Sequence, residues 1–175
     1  MDSTTYDARE SRTAEAVDAV RRIFRALRVA AQQTQGQAGI SAAQLFVLRS
    51  LSDGAASSIT ELGRRTYTDR TSVADVVERL AAAGLVIRSR SRADRRRMEV
   101  RITATGRSVL RDAPRPPTAL LVAGMDALPE RELDALTEGL KRLASEMGLE
   151  AAPAPMLFED EVASAPATRK RVLHG

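Results

Sequence analysis

The sequence contains no cysteine and no tryptophan, and its one histidine is His174. Without cysteine there is no disulfide, no thiolate-ligated metal and no thiol redox switch. His174 stands one residue from the end, a position that is seldom ordered, so neither a Ser-His-Asp triad nor a multi-histidine zinc site has a basis here. Only acid and lysine chemistry stays formally open, and no nucleophile–base pair is visible, so no enzyme is expected. Aromatic residues make up 3% of the chain. Tyr6 and Tyr67 are too few to form a base-stacking platform, which argues against single-strand binding. No apolar run approaches the roughly 18 residues of a membrane span. Met1–Glu10 is polar and has no leader pattern, so a cytoplasmic protein with no membrane partner is expected. No cofactor and no metal are expected either.

What is present is arginine. The chain has 175 residues and 27 basic side chains, of which only Lys141 and Lys170 are lysine. The net charge of +4 hides a strong division. Residues 58–112 carry 13 basic and 7 acidic groups, whereas 113–167 carry 4 and 10. A basic block within a folded region suits a polyanion, and arginine suits bidentate phosphate and base contacts. The competing reading is a solvated arginine-rich face. The hydrophobic fraction of 43% is enough for one domain with tails.

Residues 1–12 read as a flexible N-terminus. From Thr13 to about Gln35, Val17, Val20, Ile23, Phe24 and Leu27 recur at helical spacing, giving a helical unit over 13–40. Ser41-Ala-Ala-Gln44 and Ser58-Ile-Thr-Glu61 each read as a capping box. They open helices over about 42–52 and 59–66. A further helix spans about 69–82 with Val73, Val76, Val77 and Leu80 facing inward, and Gly84 supplies a left-handed cap. The period then changes. Leu85-Val-Ile87 and the alternating Met98, Val100 and Ile102 predict two strands joined by a charged tip. Thr103 caps a helix from Ala104 to about Ala113. Pro114, Pro116 and Pro117 then interrupt the helical region. Helical pattern resumes over Thr118–Ala127, and Pro129 opens another helix. There Leu133, Leu136, Leu140, Leu143 and Met147 form a 3.5-residue seam, the spacing of helices packed along their length. Such a seam is plain core in most soluble helices; beside the apolar stripe of the first helix it reads instead as a dimer interface, which makes 104–148 C-terminal dimerisation helices. Residues 149–175 read as a mostly disordered tail, with Met156–Phe158 as an apolar plug before an acidic cluster.

The segment 41–103 orders two short helices, a tight turn and a basic hairpin, the pattern of a winged helix-turn-helix. The fold class is thus mainly α with a small β-hairpin wing. On the second helix Arg70, Thr71, Ser72, Asp75 and Arg79 take outward or end positions, where base-edge contacts concentrate in the major groove. Helix capping and solubility explain the first three equally simply, and Asp75 can pair with Arg79 at i,i+4. Arg92, Arg95, Arg96 and Arg97 suit the negative minor groove. Asp94 would be repelled by phosphate and is better read as orienting a neighbouring arginine.

Three motifs carry a resemblance: Leu80-Ala-Ala-Ala-Gly-Leu-Val86, Ala93-Asp-Arg-Arg96 and Val100-Arg-Ile-Thr-Ala-Thr-Gly106. In this order and spacing the chain resembles the multiple antibiotic resistance regulator (MarR) family over about 13–148. The resemblance implies a homodimer in which the N-terminal helix and the last two helices interlock. Val20, Phe24 and Leu27 would then face the seam Leu133, Leu136, Leu140, Leu143 and Met147. It also implies a recognition helix starting over Arg70–Asp75, and a wing whose Asp94 and Arg96 match the Asp-x-Arg element that enters the minor groove. The expected function is a sequence-specific regulator of a pseudo-palindromic duplex, a repressor relieved by a small aromatic or anionic ligand. The proline-interrupted penultimate helix and the tail depart from the family pattern. A winged-helix module that binds an acidic protein partner is the alternative.

Overall fold

A computed structural model describes residues 3–91, 96–149 and 155–159. It contains helices α1 (Ser3–Ala38), α2 (Ala42–Arg49), α3 (Ile59–Thr66) and α4 (Arg70–Ala82), then α5 (Ala104–Asp112), α6 (Pro117–Asp126) and α7 (Glu130–Glu146). Strands β1 (Ser57–Ser58), β2 (Val86–Arg90) and β3 (Met98–Ile102) form one antiparallel sheet in the order β1-β3-β2. The two-strand hairpin expected from the sequence therefore has a third strand. Ser57 pairs with Val100 and Ser58 with Glu99, and on the other side Val86 pairs with Ile102. A two-residue strand carries no period, which is why alternation did not reveal it.

The core lies within the winged helix. Leu45, Val47, Leu48 and Leu51 from α2 and its end meet Leu62 of α3 and Val73, Val76, Val77 and Leu80 of α4, all fully buried. Val86, Val100 and Ile102 close it from the sheet. The Ser41 box forms as expected. Gln44 N–H donates to Ser41 Oγ at 3.1 Å, and Ser41 N–H donates to Gln44 Oε1 at 2.9 Å. The second box forms only in part. Glu61 N–H donates to Ser58 Oγ, but the Glu61 carboxylate is taken by Arg64 and Arg65. A charged guanidinium makes a stronger hydrogen bond to carboxylate than a neutral backbone amide does.

Four residues of the family-like motifs, Gly84, Leu85, Thr103 and Gly106, form one knot. Gly84 adopts φ +69 and ends α4, with Gly84 N–H on Ala81 O and Leu85 N–H on Leu80 O. This is the paired bonding of a left-handed glycine cap. Thr103 N–H then donates to Leu85 O at 3.0 Å, the Thr103 hydroxyl reaches Gly84 O at 2.9 Å, and Thr103 Oγ1 accepts from Gly106 N–H at 3.0 Å. Gly106 is required by contact. A Cβ there would overlap the Leu85 carbonyl oxygen and stand 2.9 Å from Ile102 Cγ1. The motifs at 84–86 and 103–106 thus fix both ends of the hairpin to the core.

One boundary expectation is corrected. The helix expected from Thr13 begins at Ser3, within the stretch read as flexible. That stretch lacks an apolar stripe, yet it holds no helix breaker, and continuation of a formed helix is far easier than nucleation. The prolines do split the helical region: α5 ends at Asp112 and Pro117 opens α6. Arg49 bridges the break, donating from Nη2 to Ala113 O at 3.1 Å and to Pro114 O at 3.2 Å.

Helices α1 and α7 differ from this core. Val17, Val20, Ile23 and Phe24 on α1 are exposed, as are Leu136, Leu140 and Leu143 on α7 and Met147 at its end; Leu27 and Leu133 are half-buried. No helix among the described residues is long and apolar enough to cross a membrane.

Candidate nucleic-acid interface

The start of α4 is built by Asp69. Its Oδ1 accepts from Thr71 N–H at 2.8 Å and Ser72 N–H at 3.0 Å, and Ser72 Oγ donates to its Oδ2 at 2.6 Å. These bonds, the Ser72 hydroxyl first, hold the Asp69 carboxyl below the usual aspartate range. The cap therefore occupies Ser72, the simpler of the two readings for that residue. Arg70, Thr71 and Asp75 are exposed. Tyr67, in the left-handed region at φ 54, makes the turn between α3 and α4. Its ring is 71% exposed beside this helix start, and sequence spacing gave no sign of that.

Residues of the wing come back to the same place. Arg96, Arg97 and Met98 join Arg70, Ser58, Thr60 and Glu61 around a groove of about 450 Å³ between the start of α3, the start of α4 and the base of the wing, with the Glu61 carboxylate held by Arg64 and Arg65. Arg88, Ser89 and Arg90 of β2 are exposed along the outer strand. Arg92, Asp94 and Arg95 lie outside the described residues. The groove brings guanidinium groups from two elements to the N-terminal ends of two helices, a combination that attracts phosphate.

Part of the basic block is used internally. Glu61 binds Arg64 at 2.8 Å and Arg65 at 2.9 Å. Those bonds lower its carboxyl to about 2. Arg65 also donates to Ser50 O at 3.0 Å and pairs with Asp53 at 3.3 Å. Arg79 is exposed on the helix surface, but its guanidinium pairs with Glu159. Sequence reasoning placed Arg79 with the DNA-facing residues and had no signal for this long-range partner. Among the described residues no group of three His, Asp or Glu side chains is arranged to hold a metal.

Residues 38–97 match the family model described as the MarR family. That segment contains α2 to α4 and the start of the wing. No curated protein matches the chain. Among solved structures, it is similar to BpsR from Bordetella bronchiseptica, a structure concerned with regulation of its DNA binding by 6-hydroxynicotinic acid, at 29% identity and TM-score 0.50, covering 73% of this chain and 91% of that one. It is also similar to the transcriptional regulator BldR from Sulfolobus solfataricus (23% identity, TM-score 0.51, 83% and 99% covered). Disulfide-formed AbfR matches at 20% identity and TM-score 0.57, with 81% and 98% covered. Mostly helical, with one small antiparallel sheet, the chain shares its fold with BldR and AbfR.

Proposed function

From the MarR family match over 38–97 we propose that the chain is a homodimeric, sequence-specific binder of double-stranded DNA that regulates transcription. The observation that carries this reading is the convergence of Arg70, Arg96 and Arg97 on one groove beside the exposed start of α4. The α4 start enters the major groove with Arg70 and Thr71 leading. The wing, with Arg92, Arg95, Arg96 and Arg97, follows the adjacent minor groove. Asp94 orients a wing arginine. The exposed apolar faces of α1 and α7 cover one another across a two-fold axis, so that two α4 helices stand about 34–36 Å apart on a pseudo-palindromic site.

The regulator acts as a repressor that a small aromatic or anionic ligand releases. Support for this finer point is the similarity to BpsR, whose DNA binding responds to 6-hydroxynicotinic acid. A disulfide such as that formed in AbfR has no counterpart here, because the chain has no cysteine. A cysteine-based signal therefore has no site on this chain. Titrating small aromatic acids against the bound complex tests ligand release, and a panel without any effect leaves a constitutive regulator.

The experiment for DNA binding is retardation of a duplex selected from a random pool. An Arg95/Arg96 double alanine variant should lose most of its affinity, and unchanged affinity removes the wing from the interface. Specific retardation also separates this reading from an acidic protein partner, which would leave the duplex free.

A further inference from the structure

Residues 155–159 return from the end of α7 to the recognition helix. Met156 is 4% exposed and belongs to the same apolar cluster as Val73, Val76, Val77 and Leu80. Phe158 adopts φ 60, a left-handed conformation that a bulky residue takes only where its surroundings determine it. That turn brings Glu159 N–H to Met156 O at 3.2 Å and Met156 N–H to Glu159 Oε2 at 3.3 Å. The Glu159 side chain is 9% exposed and its other oxygen pairs with Arg79, which also donates to Glu159 O at 3.3 Å. A carboxylate this buried needs its cation, so the pair is a fixed part of the docked segment.

The position of Arg79 gives the contact its meaning. At 100° per residue, Arg79 lies on the flank of α4 shared with Ser72 and Asp75, on the Thr71 side of the helix and opposite Arg70, about two to three turns further along it. With Glu159 in place, a phosphate approaching that flank meets a neutralised guanidinium with a carboxylate beside it.

We propose that residues 155–159 form an acidic strap that competes with DNA for Arg79 on the recognition helix and lowers the affinity of the free protein for its duplex. The proposal rests on the DNA-binding reading above. Because the competitor is tethered, it is present at high effective concentration, and the observed affinity is scaled down to the fraction of time the strap is undocked. When Glu159 is released, Arg79 becomes an additional phosphate contact.

The test compares the full chain with E159Q, M156D and the double variant R79A/E159Q on a duplex selected with the wild-type protein, at two salt concentrations. E159Q keeps the apolar plug and is the milder change. Its affinity should rise roughly three- to tenfold, and its salt slope should steepen by about one per protomer, because one more phosphate is neutralised. M156D, which ejects the plug, should show the same gain. Adding R79A to E159Q should remove it. Unchanged or weaker binding by E159Q, with wild-type retardation intact, overturns the strap alone. If the wild-type chain retains no duplex from the pool, the DNA reading falls first and the competition falls with it.

Discussion

The winged helix and the helices that flank it solve the burial problem in opposite ways. In α2–α4 and the sheet most large apolar side chains are buried, with Ile87 and Met98 on the wing as exceptions, and helix starts are closed by Ser41, Asp69 and Thr103. In α1 and α7 the apolar stripe is just as regular, yet Phe24 is 55% exposed and Leu143 is 52% exposed. Both regions follow helical periodicity, so periodicity alone does not say where a face is buried. The winged helix is finished within one chain, whereas α1 and α7 present contiguous apolar surface of the sort that marks an interface.

The sharpest way to break this contrast is a charge on the outer helices. Leu140→Asp should turn a dimer into a monomer in sedimentation and weaken operator binding on the order of a hundredfold, since one half-site replaces two. The winged helix should keep its own circular dichroism. Loss of folding throughout would mean that the two regions are not separable. Conversely, Gly106→Ala strikes the finished core. The added methyl group must displace the Leu85 carbonyl and Ile102, and should cost about 1–3 kcal/mol in thermal unfolding while leaving the proposed dimer contact untouched. Arg96→Ala touches neither burial scheme. It should cost about 1–3 kcal/mol in duplex affinity, read by anisotropy, with an unchanged melting temperature.

The smallest effect concerns acid. Glu61 and Asp69 both have folded carboxyl values below their unfolded ones, Glu61 down to about 2 from 4.5. Their contribution is therefore complete above the unfolded values and fades as pH falls through the folded ones. Glu61→Gln should lower stability slightly near pH 6, and the difference from wild type should shrink between about pH 4.5 and 2. A difference that is constant over that range would mean that the arginine pairing does not stabilise the fold. Both carboxylates lie at the surface, so the effect should be modest and diminished by salt.

The legible parts of the sequence were those with a local cause. Ser41, Asp69, Gly84 and Thr103 act within a few residues of themselves, and caps, turns and the α4 inner face could be read directly. The apolar stripes of α1 and α7 were visible as stripes. What stayed hidden depended on residues distant in the chain. The short β1 strand exists only because Val100 and Glu99 lie opposite it. Arg79 looked available because its partner is 80 residues away. The tail's composition suggested disorder, yet Met156 finds a place in the core. Ser58 and Glu61 had the spacing of a capping box, but Arg64 and Arg65, three and four residues on, claimed the carboxylate. A short motif shows which bonds are available locally; the chain as a whole decides which of them form.

The central claim is that two winged helices, each complete in itself, are set in register by α1 and α7. Selection of bound sequences from a random duplex pool measures this directly. The account predicts a pseudo-palindrome whose half-site centres are about 10–10.5 base pairs apart, or a multiple of that turn. Recovery of single, unpaired half-sites, or of no sequence at all, would contradict it.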